Sequence, residues 1–193
     1  MPDSVSEEES IYLRVQDLSK FQMPPGFRGR SAWFVQLWWL VQSTAFRWSP
    51  QFAYPFRAWL LRLFGAAVGK NTVIRPTVRI TYPWKVHIGD RSWLGDDVVL
   101  YSLGTIHIGS DTVLSQRTYV CAGDHDYSSV DFPIRARPIR IGCEVWVATD
   151  CYIGTSPCVP IWERQSNAWA LFGAESTLGY LEARNNNKIG PYA

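Results

Sequence analysis

Aliphatic residues return every six positions through the middle of the chain. Val68, Ile74, Ile80 and Val86 lie six apart, and after a step of two the series restarts at Ile88, Leu94, Leu100 and Ile106. A second step of two leads to Ile108, Leu114 and Val120, and after an interruption the period resumes at Ile141, Val147, Ile153 and Val159. Gly follows the aliphatic residue at 69, 89, 95, 109, 142 and 154, while Thr72, Ser92, Val98, Thr112, Thr118 and Val145 hold the fifth place of their hexads. At about 100° per residue, six steps leave about 240°, so no α-helix keeps these residues on one face. Turn-forming residues in every hexad also rule out one long strand. Three short strands per coil, each with one inward aliphatic residue, meet both constraints. The two-residue steps recur as VHIG (86–89), IHIG (106–109) and IRIG (139–142), so a full coil is three hexads plus two. The pattern predicts a hexapeptide parallel β-helix, whose stacked coils close each other's core.

Upstream the period changes. Residues 31–46 and 55–64 read as helices, with Pro55 in the first turn of the second. In the first, Trp33, Leu37, Leu40 and Val41 form a stripe that Phe34, Trp38 and Ala45 widen. In the second, Phe56, Trp59, Leu60 and Leu63 make the expected apolar face, with Arg57 and Arg62 off it. Two readings stay open for this segment. It packs on the rest of the fold, or it makes peripheral membrane contact through residues 31–64, with Arg30, Arg47, Arg57 and Arg62 near lipid head groups. Residues 1–30, broken by Pro24, Pro25, Gly26 and Gly29, read as an extended arm. Residues 126–138 read as a loop leaving the helix body. The expected organisation is therefore an arm and aromatic helical segment (1–66), a β-helix (67–160) and a non-repeat tail (161–193).

Composition narrows the function classes. The 193 residues are 47% hydrophobic and 19% charged, with a net charge of +2, which excludes a disordered chain. So even a balance also argues against nucleic acid as a partner. Four Cys without CxxC spacing make no disulfide framework, and small buried or half-buried positions are expected for them. The acidic start MPDSVSEEES is unlike a signal peptide, and the uncharged run 31–46 is shorter than the roughly 20 residues needed to span a bilayer. A cytoplasmic location is expected. Of the ten Trp, five fall within residues 33–59.

The chemistry concentrates where the repeat gives way to the loop, at CAGDHDY (121–127). The strings LGDDVVLYSLGTIHIG (94–109), LSQRTYVCAGDHDYS (114–128) and PIRIGCEVWVATDCYIG (138–154) carry a resemblance, together with FRAWLLRLFGA (56–66) and YPWKVHIGD (82–90). Over roughly residues 30–158 the chain resembles the hexapeptide acyltransferase superfamily, colanic acid biosynthesis acetyltransferase type. The resemblance implies an all-β, left-handed parallel β-helix and an O-acetyltransferase that uses acetyl-CoA. It implies a sugar or lipid-linked saccharide acceptor in exopolysaccharide biosynthesis, and a homotrimer with active sites between subunits. It makes His125 the general base, which suits the chemistry. A sugar hydroxyl attacks a thioester poorly until its proton is removed, and a free imidazole, with pKa near about 6.5, accepts one at neutral pH. Asp124 or Asp126 is expected to orient the ring. The resemblance aligns Asp97 with a position that is often a substrate-contacting Asn or Asp in related sugar acetyltransferases; Tyr101, Asp124, Asp126 and Tyr127 complete the expected acceptor site. Trp146, Ala148 and Gly154 are expected beside the acyl donor. For Arg135, Arg137 and Arg140, a site for CoA phosphates or an anionic lipid competes with a solvated loop edge.

His87 and His107 hold equivalent places in successive coils and should stack about 4.8 Å apart. Two readings compete for the pair, a zinc site such as that of γ-class carbonic anhydrases and solvent exposure. Their alternation with inward Val86, Ile88, Ile106 and Ile108 favours exposure, and no metal is expected. Past Ile153 the text TSPCVP leaves the repeat, where the family continues with coils that wall the donor site. Two expectations follow: a reading-frame shift near residues 156–162, and, as the alternative function, an inactive or scaffold β-helix protein lacking those coils.

Overall fold

The computed structural model describes residues 16–155, and within them the hexads form a three-sided coil. Sheet A stacks β1 (Ala67–Val68), β4 (Val86–Ile88), β7 (Ile106–Ile108) and β12 (Ile139–Ile141). Sheet B stacks β2 (Val73–Ile74), β5 (Trp93–Leu94), β8 (Val113–Leu114) and β13 (Trp146–Val147). Sheet C stacks β3 (Arg79–Ile80), β6 (Val99–Tyr101), β9 (Tyr119–Cys121) and β14 (Tyr152–Ile153). Every pairing within these sheets is parallel. His87 faces His107, twenty residues on, whereas Ile108 faces Ile141, thirty-three on. The extra thirteen residues match the length of the loop expected at 126–138. The calls on Val159 and on residues 161–193, the frame-shift expectation included, lie outside the described residues.

The inward ladders are those of the hexad pattern. Ile74, Leu94, Leu114 and Val147 line one side of the core; Ile80, Leu100, Val120 and Ile153 line a second; Ile88, Ile108 and Ile141 line the third, and all are buried. Each such side chain contributes about 1.5–3 kcal/mol. The sharp corners cost something in return. Asn71, Arg91, Asp111 and Glu144, where A turns into B, and Asp97, Arg117 and Asp150, where B turns into C, all have positive φ. At about 1–3 kcal/mol per left-handed residue, burial covers the corners only because each coil carries several inward residues. Corner hydroxyls also stitch successive coils: Ser92 Oγ donates to the Gly109 carbonyl (2.7 Å) and Thr112 Oγ1 to that of Gly142 (2.7 Å). At Gly109 a Cβ would lie 2.5 Å from the Cys143 nitrogen, so only Gly allows that stacking.

Helices α1 (Ala32–Val41) and α2 (Tyr54–Leu63), joined by a π-helical turn (Gln42–Phe46) and a connector, close the base of the prism. The faces differ from those expected. In α1, Val35 and Trp38 are buried, whereas Trp33 and Leu40 are exposed. In α2 the buried residues are Arg57, Ala58, Leu60 and Leu61, while Phe56, Trp59 and Leu63 face out. The physical reason is the edge of the first coil, whose carbonyls have no further strand to pair with. Arg57 is 0% exposed, and its guanidinium donates to the carbonyls of Ile74 (2.6 Å), Pro50 (2.9 Å) and Gln51 (2.7 Å) and to Ser49 Oγ (2.7 Å). Arg62 donates to the Val68 and Gly69 carbonyls, and Trp38 Nε1 to that of Ile80. Gln42 Oε1 accepts from the Ile80 N–H. Satisfying this edge, rather than maximising apolar burial, sets the rotation of both helices.

Candidate active site

His125 stands on a β-hairpin that leaves the coil between sheets C and A. β10 (Gly123–His125) pairs antiparallel with β11 (Ile134–Ala136), His125 opposite Ile134. The excursion therefore begins as a strand at Gly123, slightly before the expected loop. At Gly123 a Cβ would lie 2.6 Å from Leu103 Cδ1, so the hairpin's root passes close over the core.

The His125 ring is half-buried and held from two sides. Its Nδ1 lies 2.9 Å from the Phe132 carbonyl, and the Phe132 ring stacks on it at 4.3 Å with 7° between planes. A carbonyl only accepts, so Nδ1 carries the hydrogen and Nε2 is the basic nitrogen of the neutral ring. Phe132 sits at φ +48°, a conformation disfavoured for a bulky residue, and this turn aims its carbonyl at the imidazole. The orienting group is thus a backbone carbonyl, where Asp124 or Asp126 was expected. Both carboxylates are engaged elsewhere. Asp124 accepts from Arg135 Nε (2.8 Å) and from Thr155 Oγ1 (3.1 Å). Asp126 accepts from the Ser128 N–H (3.0 Å) and lies 3.5 Å from Arg135 Nη1. The Arg135 hydrogen bond holds the Asp124 carboxyl below its ordinary range, and the Ser128 hydrogen bonds do the same for Asp126. Arg135 also donates to the His125 carbonyl (3.1 Å). It is a clamp within the hairpin, not a free cation.

The N-terminal arm reaches this hairpin. The Asp17 N–H donates to the Val130 carbonyl (2.7 Å), and the Phe21 ring lies 6.0 Å from that of His125. Phe21, Phe132 and the clamping role of Arg135 were missed from sequence. A left-handed Phe leaves no mark on a pattern of hydrophobic periods.

The other expected site residues are dispersed within one chain. Tyr127 is highly exposed near the hairpin tip. Tyr101, half-buried on sheet C, pairs with Cys121 and lies diagonally across from Tyr119 (6.2 Å), whose ring stacks with that of its register partner Tyr152 (5.9 Å). Burial first, then the Cys121 thiol beside it, pushes the Tyr152 hydroxyl up to about 12. Gly154 follows β14 on the same side. Asp97 occupies the corner from sheet B to sheet C, its N–H bonded to Thr77 Oγ1 (2.8 Å), a different edge of the prism from the hairpin. Trp146 lies on sheet B, its Nε1 donating to Ser115 Oγ (2.9 Å), and Ala148 packs at the margin of the core just beyond. Trp93 is in line with Trp146 across Val113, giving sheet B an exposed apolar strip.

His87 and His107 stack on sheet A at 4.2 Å, with Arg140 next in the ladder. Burial, His87 and Arg140 all lower the His107 pKa. Among the described residues no group of three or more His, Cys, Asp or Glu converges to hold a metal. Cys121 is half-buried and Cys151 buried, but Cys143 is exposed, against expectation; it follows Gly142 at a corner, where the chain turns outward. Cys158 lies outside the described residues. No helix of the described residues is long and apolar enough to cross a membrane.

No family model matches the chain. It is 59% identical over 139 residues to the provisionally named colanic acid biosynthesis acetyltransferase WcaF of Escherichia coli (strain K12), covering 72% of this chain and 76% of that one. The WcaF of Shigella flexneri matches equally. Among solved structures, it is similar to the hexapeptide-repeat acetyltransferase VCA0836 of Vibrio cholerae (TM-score 0.58, 16% identity, covering 72% of this chain and 77% of that one). A galactoside acetyltransferase in complex with coenzyme A superposes with TM-score 0.55 at 17% identity, covering 78% and 80%.

Proposed function

The chain belongs to the colanic acid biosynthesis acetyltransferases of the hexapeptide-repeat superfamily, with their left-handed β-helix, and from that premise we propose a mechanism. It is an acetyltransferase of polysaccharide biosynthesis, which takes acetyl from acetyl-CoA to a sugar hydroxyl of an exopolysaccharide precursor, free or lipid-linked, with His125 as general base. The observation that carries the reading is the Nδ1–Phe132 carbonyl bond, because it leaves Nε2 as the proton acceptor.

Acetyl-CoA supplies the acyl group as a thioester. Nε2 takes the hydroxyl proton as the acceptor oxygen attacks, and the Phe132 carbonyl stabilises the imidazolium through Nδ1–H. The proton then passes from Nε2 to the departing thiolate, so charge balances over the turnover. Such base catalysis is worth about 100- to 10,000-fold. For the donor itself, the apolar strip of Trp93, Val113 and Trp146 suits a pantetheine arm, with Ala148 next to Trp146 along the chain. The acceptor meets Tyr101, Asp124, Asp126 and Tyr127 on the hairpin side.

A homotrimer completes the site. Asp97 and Trp146 lie on other sides of the prism from His125, and a site between two subunits is what reunites them. The setting is cytoplasmic, where acetyl-CoA is made.

The test is thiol release from acetyl-CoA against a panel of sugars. His125→Ala should lose at least about 100-fold in kcat, with melting temperature and acetyl-CoA binding by calorimetry unchanged. Turnover like that of the wild type would overturn the assignment. An intact protein that binds no acetyl-CoA would instead favour a scaffold role.

A further inference from the structure

The side of α1, the connector and α2 that faces away from the coils has no partner within the described residues. Trp33 (74% exposed), Trp48 (82%), Phe52 (78%) and Trp59 (53%) stand on it, with Leu40 and Leu63. Phe56 and Trp59 stack at 6.0 Å on the outer stripe of α2. Soluble surfaces rarely gather so much large apolar side chain in one place. Nothing in the fold requires it, since the edge of the first coil is closed by the opposite faces of the same helices.

Charge identifies the occupant. From Leu18 to Gly89 the chain carries ten Lys or Arg and no Asp or Glu, although the whole chain is nearly neutral at +2. Arg30, Arg47, Arg62 and Lys70 are exposed around the aromatic face, and none is paired with a carboxylate among the described residues. Ion pairs of the coil corners, such as Arg91–Asp111 and Arg117–Asp150, lie farther up the prism. A protein partner burying this surface would have to be both apolar and strongly acidic. An anionic bilayer offers both at once: acyl chains and carbonyls for Trp and Phe, phosphates for Arg and Lys.

We propose that the base of the β-helix docks on the surface of an anionic lipid bilayer, with Trp33, Trp48, Phe52 and Trp59 seated at the head-group level and Arg47 on lipid phosphates. The helices lie on the membrane without crossing it, which agrees with their length of ten residues each. The docking stands on its own surface and does not depend on the acetyl-transfer reading. If that reading holds, docking also brings His125 to a lipid-linked acceptor.

The test is flotation of the full chain with vesicles of phosphatidylcholine alone and with about 30% phosphatidylglycerol added, in low and high salt. The wild type should float with the anionic vesicles, at least tenfold more than with neutral ones, and salt should weaken it. The W48S/F52S double variant alters only exposed side chains. It should lose at least tenfold in binding, with the melting temperature and acetyl-CoA turnover on a soluble sugar unchanged. R47E should lower binding to anionic vesicles alone. Absence of flotation, or flotation indifferent to these substitutions, would overturn the proposal. So would a mass by light scattering that falls in W48S/F52S, because a second copy would then be the occupant. Soluble-sugar turnover reports on the acetyl-transfer reading separately, so the two can fail independently.

Discussion

Phe132 is a strained residue that holds the ring of the proposed base. Its backbone is turned to φ +48°, its carbonyl holds Nδ1 of His125, and its ring lies flat against the imidazole. Two substitutions separate these contributions. Phe132→Asn removes the ring but tolerates the left-handed backbone, so the carbonyl stays aimed and kcat should fall by less than about tenfold. Phe132→Val places a β-branched residue where it is disfavoured, and kcat should fall about 10- to 100-fold while KM changes little. Equal losses in both variants, measured by steady-state kinetics, would assign the effect to the ring. Neither Phe132 nor its partner's tautomer was legible in sequence, because both depend on a turn with no periodic signature. The place of His125 was legible, since it stands where the hexads stop, whereas its role was what the resemblance implied.

At the scale of elements, the helices are held to the coil by polar capping as well as by apolar packing. Apolar periodicity put Trp33, Leu40, Phe56, Trp59 and Leu63 on the apolar faces, which were to pack on the fold or meet a membrane, and all five are exposed. Arg57, read as lying off the apolar face, is buried among carbonyls. A helix lying on a sheet buries one stripe by hydrophobicity. A helix lying on a sheet edge must also bring donors to it, and that requirement wins here. Burial pulls the Arg57 pKa below its ordinary value, yet a guanidinium titrates so high that it stays charged at neutral pH. Arg57→Ala strands three carbonyls, each costing about 1–3 kcal/mol if left unpaired. It should lower stability in urea by at least about 3 kcal/mol. A loss below about 1 kcal/mol would show that water replaces the guanidinium without penalty.

For the whole molecule, the proposed site residues lie on different edges of one prism. A site shared between subunits predicts complementation. Mixing H125A and D97A chains, each inactive alone, should restore about a quarter of the sites in randomly assembled trimers, since each site draws one residue from each neighbour. Thiol release measured after co-refolding would reveal it. Activity no higher than the sum of the two parents would place the whole site within one chain, or remove Asp97 from it.

The sequence by itself determined the coil. A six-residue period with Gly and hydroxyls at set places admits one packing, and each inward ladder from Ile74 to Ile153 is buried where its hexad puts it. It also marked the break at which His125 stands, because an insertion interrupts the period whatever its shape. Only the tertiary structure decided the rest. It turned the helices by the unpaired carbonyls of the first coil, gave the orientation of His125 to a backbone carbonyl, and drew Asp124 and Asp126 to Arg135. The physical reason is common to all three. Apolar burial repeats along the chain and can be counted, whereas a hydrogen bond joins particular atoms that only folding brings within reach.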